Sequence, residues 1–290
     1  MNLYIPFHVL KIIVFVLGLV FGSFANVLIW RVPRRESIIV PRSRCPACGH
    51  QLSWWENIPL LSYMILLGKC RKCKATISLR YPIVELCMGI LSVACLLRVR
   101  LWILEDSHTL GILGLWFLLV AFCLLLVVIT FVDLEHWRIP LPLTMSGTAI
   151  GIVTALVASS ITRVSVLDSV LGLIGGFLPL AILIEVYYRL TQREGMGYGD
   201  AFLAGMVGAN LGYSSLLFVF FASSFQGILV ALPYALFAKR PMTPWQGQGV
   251  PQSHKLRHTP IPFGPFISLS AMEWLFFRES LTTLFAPWLE

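Results

Sequence analysis

Two aspartates and four cysteines are the residues of this 290-residue chain whose types and spacing point to chemistry. Asp133 stands in Phe131-Val132-Asp133-Leu134-Glu135-His136-Trp137-Arg138-Ile139-Pro140, at the end of a long apolar run. Asp200 stands in Gly195-Met196-Gly197-Tyr198-Gly199-Asp200, just before another. Ionisable groups at a membrane are expensive, and each needs a reason. Two carboxyl groups held together share a proton: one stays ionised and activates water, the other stays protonated and polarises a carbonyl. Such a pair titrates as a unit and hydrolyses a peptide bond with no further cofactor. The alternative for each aspartate is an interfacial charge capping a helix, and Glu135 is equally interfacial.

The cysteines form Cys45-Pro46-Ala47-Cys48-Gly49-His50 and Cys70-Arg71-Lys72-Cys73, a C-x2-C-x21-C-x2-C pattern. Each turn offers two thiolates to one ion, so the pattern predicts a Zn2+ site held by Cys45, Cys48, Cys70 and Cys73. Four protein ligands leave no place for water, and the role is structural. Arg44, Lys69, Arg71, Lys72 and Lys74 offset the charge of four thiolates, and His50 is read as a neighbour of the site rather than a ligand. A segment of about 50 residues has little core, so the metal contributes folding energy. Cys87, Cys95 and Cys123 stand singly in apolar runs and read as small buried hydrophobes.

The elements that position these residues are membrane spans. The chain is 57% hydrophobic and 12% charged, against about 25% charged in a soluble domain. A soluble all-α protein would need polar faces, and Leu110 to Val132 carries no charge. Eight apolar segments are expected as helices, at about 9–29, 83–104, 110–132, 141–161, 166–188, 201–211, 214–237 and 261–284. Met1 to Leu10 lacks a basic region and no A-x-A pattern follows, so the first segment is read as a retained span rather than a signal peptide. The expected class is all-α polytopic membrane protein. Its expected parts are a first helix at 1–30, a zinc-binding domain at 31–82 and a membrane domain at 83–290.

Span 6 carries small residues at four-residue steps, Ala201, Gly205 and Ala209, then Ala204, Gly208 and Gly212, which allow close helix packing. At about 18 Å it is too short for a core of about 30 Å. Asp200 is therefore expected slightly inside the bilayer.

The net charge of +8 is explained by loops rather than by nucleic acid. Ten of the 22 Lys and Arg residues lie in 31–80 and four in 239–258, and Arg138, Arg189 and Arg193 share that side by helix parity. The positive-inside rule puts this side in the cytoplasm and both termini outside. Parity brings the cysteine segment, Asp133, Asp200 and the basic 239–258 loop to one face.

Gly197-Tyr198-Gly199-Asp200 resembles the motif of the GxGD intramembrane aspartyl proteases. A fuller set, in order along nearly the whole chain, resembles bacterial prepilin peptidases. It comprises Gly22-Ser23-Phe24-Ala25-Asn26-Val27, Pro41 to His50, Glu56-Asn57-Ile58-Pro59, Arg80-Tyr81-Pro82 with Glu85, Gly195 to Asp200, and Ile261-Pro262-Phe263-Gly264-Pro265-Phe266. The resemblance implies removal of a short basic leader from type IV prepilins and type II secretion pseudopilins, after a glycine, at the cytoplasmic face of the inner membrane. It places the catalytic aspartates at Asp133 and Asp200 and the cysteines at Cys45, Cys48, Cys70 and Cys73. It also implies methylation of the new N-terminus from S-adenosylmethionine, for which no glycine-rich dinucleotide unit is visible. Asn57, Glu56 and Glu85 are candidate participants, with structural roles the alternative, and Asn26 is a candidate packing residue of span 1. Two positions depart from the pattern: Ile139-Pro140 is followed by Leu141 rather than aspartate, and Asp200 by Ala201-Phe202 rather than Phe-Lys. Glu135 and Glu194 are candidates for meeting a basic leader. The rival functions are a proton-relay transporter, for which no inverted repeat is seen, a peptidase without methylation, and a non-catalytic zinc-bearing membrane scaffold.

Overall fold

The computed structural model describes residues 6–102, 109–192, 195–237 and 261–285. The expected basic loop 239–258, Arg193 and Glu194 lie outside the described residues. Nine α-helices are described: α1 Phe7–Arg31, α2 Leu61–Ile65, α3 Arg80–Trp102, α4 Thr109–His136, α5 Leu141–Thr162, α6 Val166–Thr191, α7 Tyr198–Leu211, α8 Leu216–Phe237 and α9 Gly264–Phe285. The eight expected spans correspond one for one to α1 and α3–α9. Six of them (α1, α3, α4, α5, α6 and α8) are long and apolar enough to cross a membrane. α7 has 14 residues, about 21 Å at 1.5 Å per residue. α9 has the length but carries Glu273, Arg278 and Glu279. The chain is a multi-pass membrane protein.

The chain divides into two compact units, Met1–Val128 and Ile129–Glu290. In the first, α1 packs on α3. The Ser92 hydroxyl donates to the Val14 carbonyl at 2.6 Å, and Trp116 Nε1–H to the Ser92 carbonyl at 3.0 Å. Asn26 Nδ2 donates to the carbonyls of Gly22 and Tyr81, so its amide serves the join between α1 and the start of α3. Cys95 and Cys123 are buried with Sγ atoms 3.7 Å apart, and Cys87 is partly exposed.

In the second unit α7 is the centre. Ten of its 14 residues are buried, and α5, α6 and α9 pack against it. The seam with α6 is backbone against backbone: a Cβ on Gly208 would collide with the Gly172 carbonyl, and one on Gly172 with the Gly208 carbonyl. Without apolar burial to drive association in lipid, such close approach supplies the dispersion contacts that hold helices together. Polar pins add to it, from the Ser169 hydroxyl to the Ala209 carbonyl at 2.7 Å and from Asn210 Nδ2 to the Gly147 carbonyl at 2.9 Å.

Gly208→Leu is therefore expected to lower the melting temperature in detergent sharply, by at least the roughly 1–3 kcal/mol of an overpacked core. Gly114→Ala, where an added Cβ meets nothing within 4 Å, should leave it unchanged. Equal melting of the two variants would show that the α6–α7 seam is not close-packed.

Candidate functional site

Asp133 is buried in the last turn of α4 at 5% exposure, and Asp200 is buried in the first turn of α7 at 9%. The helix begins at Tyr198, two residues before Asp200, so the aspartate belongs to α7 rather than preceding it. Gly197 takes the N-cap position, and the Asp200 amide closes onto the Gly197 carbonyl at 3.1 Å. An acidic side chain there faces the free N–H groups of the helix start.

The chain leaves α4 abruptly. Trp137 adopts a left-handed backbone at φ 55°, and its N–H closes onto the Asp133 carbonyl at 2.8 Å. Ile139 and Pro140 then lead into α5, where Pro140 is the N-cap. This turn carries the Ile139 side chain to both glycine contacts of the site. A Cβ on Gly199 would lie 2.9 Å from Ile139 Cβ, and one on Gly264 would lie 3.0 Å from Ile139 Cδ1.

Gly264 begins α9, and its N–H donates to Asp133 Oδ2 at 3.0 Å in a buried contact. The first N–H groups of a helix have no partner within it, so this bond satisfies an orphan donor and a buried carboxyl together. A Cβ at position 264 would lie 2.8 Å from the same oxygen, and only glycine leaves room for the approach. Asp133 and Asp200 are close enough for their charges to act on each other. α4, α7 and α9 therefore deliver two carboxyl groups and a backbone donor to one buried place. The Gly199–Asp200 motif was legible in the sequence. The pairing of Gly264 with Asp133 was not, since no local pattern marks a backbone donor over 100 residues away.

The cysteines also come together. Sγ atoms of Cys45, Cys48, Cys70 and Cys73 all lie within 4.8 Å of one another, with Cys45 to Cys73 at 3.8 Å and Cys48 to Cys70 at 4.0 Å. A tetrahedral ion with bonds of about 2.3 Å requires S···S edges of about 3.8 Å, so the four thiols fit a zinc-sized ion. The two halves are built alike. The Cys45 amide donates to the His50 carbonyl and the Cys70 amide to the Ala75 carbonyl, both at 2.8 Å. Gly49 and Lys74 take matching left-handed positions at φ 68° and 61°. Amides of Cys73 and Lys72 point at the Cys70 sulfur and hold its thiol down at about 6.

The remaining candidates separate. His50 Nε2 lies 3.3 Å from Glu56 Oε2 and is not part of the thiol cluster. Glu56 is buried and accepts the Ser53 N–H at 2.8 Å, which holds its carboxyl below the ordinary range. Glu85 Oε2 accepts the Leu60 N–H at 2.8 Å. Both glutamates are thereby tied to the backbone. Glu135 is buried in α4, beyond Asp133.

Two family profiles match the chain. The Bacterial Peptidase A24 N-terminal domain matches residues 16–99 and the Type IV leader peptidase family matches residues 120–232. A Myxococcus xanthus protein named prepilin leader peptidase/N-methyltransferase is 34% identical, over 96% of this chain and 91% of its own length. Relatives of the same name from Aeromonas hydrophila and Burkholderia pseudomallei are 35% and 32% identical, over 91% and 84% of their lengths. No solved structure matches the chain significantly.

The contact between Gly264 and Asp133 predicts energetic coupling. Gly264→Ala should destabilise the protein, and much less so in an Asp133→Ala background, with a coupling of roughly 0.5–3 kcal/mol. Melting the four proteins measures it, and strictly additive shifts would contradict the contact.

Proposed function

The chain belongs to the type IV leader peptidase family, and we propose that it removes the short basic leader from type IV prepilins and type II secretion pseudopilins. The observation that carries the reading is the buried meeting of Asp133, Asp200 and the Gly264 amide. In this mechanism the pair holds one proton between two carboxyls. The ionised member takes a proton from water as its oxygen bonds to the scissile carbonyl carbon. The protonated member gives its proton to the carbonyl oxygen. Collapse of the tetrahedral adduct then breaks the C–N bond: the proton taken from water goes to the departing amine, and a hydroxyl of the adduct returns a proton to the carboxylate that gave one, restoring the pair. Which aspartate begins as the acid is a property of the pair.

The substrate class suits the site. A prepilin joins a basic leader to an apolar helix, and the helix reaches a bilayer-level pair from within the lipid. The leader stays in the aqueous phase, with Glu135 and Glu194, acidic residues near the two aspartates in the sequence, as its candidate partners. The positive-inside distribution of Lys and Arg supports a cytoplasmic face for the site and the cysteine segment, in a bacterial inner membrane.

Cys45, Cys48, Cys70 and Cys73 would hold Zn2+ as a structural ion that fixes the 31–82 segment. The names of the relatives and the intact amino-terminal profile support a second activity, N-methylation of the new terminus. S-adenosylmethionine would supply the methyl group to the new terminal amine.

Asp133→Asn and Asp200→Asn are each expected to slow leader loss by roughly three orders of magnitude or more, read by mass on a purified prepilin. Cleavage surviving both substitutions would leave the scaffold reading. Metal analysis should find about one zinc per chain, lost in Cys70→Ser. A metal-free chain with an intact 31–82 segment would sink the zinc assignment.

A further inference from the structure

The amino-terminal unit holds a cavity of about 320 Å³ where the end of α1 meets the loop that follows it. Arg31 and Arg42 are its charged walls, and no carboxylate lines it. Arg31 is 8% exposed, and its guanidinium donates to the Ser37 carbonyl at 2.8 Å and the Pro41 carbonyl at 2.6 Å. Three of its five N–H groups remain, and among the described residues no carboxylate pairs with it. A buried cation without a counterion is costly, and an anion in the cavity would offset it. A cationic ligand, or a basic leader, would be repelled.

The place of the cavity in the fold says which anion. Arg31 is the last residue of α1, a 25-residue helix long enough to cross a membrane. That helix rises about 37 Å, a little more than a hydrocarbon core of about 30 Å. The cavity therefore stands at the level of lipid phosphates.

The exposed apolar side of α1 leads straight to it. Ile13, Leu17, Val20 and Phe24 are exposed and follow one another by three or four residues, the spacing of one helix face. The same step then reaches Val27 and Arg31, both in the cavity wall. From Val20 to Arg31 is about 16 Å along the helix, close to the half-core of about 15 Å that one acyl chain crosses. On the far side of the cavity wall, Ile39 is 82% exposed and Trp54 81%. Large apolar and indole side chains of this kind suit the interface of a bilayer. Ser43, Ser53 and Asn57 add hydrogen-bonding groups for a polar head.

We propose that this cavity holds the headgroup of an anionic phospholipid, with its phosphate on Arg31 and Arg42 and its acyl chains along the exposed side of α1. Basic pockets beside membrane helices take such headgroups. A soluble phosphate ester offers the arginines the same charge but has no use for the apolar stripe. The bound lipid would tie the start of the cysteine-bearing loop to the bilayer surface.

The test offers the full chain in neutral detergent equal amounts of phosphatidylglycerol and phosphatidylcholine, and counts retained lipids by native mass spectrometry. Melting temperature reports whether each variant is folded. The wild type is expected to retain phosphatidylglycerol in preference, and Arg42→Gln to weaken that retention about fivefold. Arg31→Gln should weaken it at least as much. Arg42 is exposed and its side chain takes no part in the ties to Ser37 and Pro41, so its variant keeps the test valid if Arg31→Gln fails to fold. Equal retention of the two lipids by the wild type overturns the proposal. So does a loss in Arg42→Gln no larger than in Lys69→Gln, a basic residue of the same loop outside the cavity wall, since that would be diffuse charge attraction. Displacement of phosphatidylglycerol by millimolar glycerol 3-phosphate would make the cavity a site for soluble phosphate esters, and would overturn it too.

Discussion

A carboxyl group buried among apolar helices loses its water, and without polar partners that costs several kcal/mol. The carboxyl-terminal unit contains two such groups, Asp133 and Asp200, and its architecture follows from making them tolerable together. Asp133 receives the Gly264 N–H at 3.0 Å, and Asp200 sits where the free amides of α7 point. Both solutions use backbone rather than side chains. For Asp133 the donor comes from another helix, and it reaches the carboxyl only because that helix approaches more closely than a side chain would permit. The glycine seam between α6 and α7 fixes the helix that carries Asp200.

The amino-terminal unit solves a different problem. Its loop between α1 and α3 has two isolated β-bridges, Arg44 with Gln51 and Lys69 with Thr76, one short helix and one 3-10 turn. So little regular structure buries little apolar surface, and the four thiols that meet there fit an ion that would replace the missing core. Buried charges tied to backbone, Arg31 to two carbonyls and Glu56 and Glu85 to amides, fix the rest. That scaffold presents a cavity with a cation and a ring on its walls.

Much of this was legible in the residues. Long apolar runs mark α1, α3, α4, α5, α6 and α8, because crossing lipid demands length and apolarity whatever the neighbours. The short α7 was marked by its small residues, and the cysteine spacing marked the thiol cluster. What the sequence hid is long-range or conformational. No local rule pairs Gly264 with Asp133, and nothing about Trp137 announces the left-handed turn that ends α4 and swings Ile139 into the site. For Glu56 and Glu85 the sequence left a part in methylation and a structural role both open, and the fold adds that an oxygen of each accepts a backbone amide. Arg31 was counted as one more basic loop residue, and only the fold buries it against a cavity.

The central claim is that Asp133 and Asp200 work as one pair sharing one proton. The pH dependence of leader cleavage by the purified wild-type chain, at substrate well below saturation, tests it directly. The account predicts a bell: the rate falls on the acid side as the pair gains its second proton and on the alkaline side as it loses its last. A single sigmoidal limb across the stable pH range would mean that one group acts alone, and would contradict the pair.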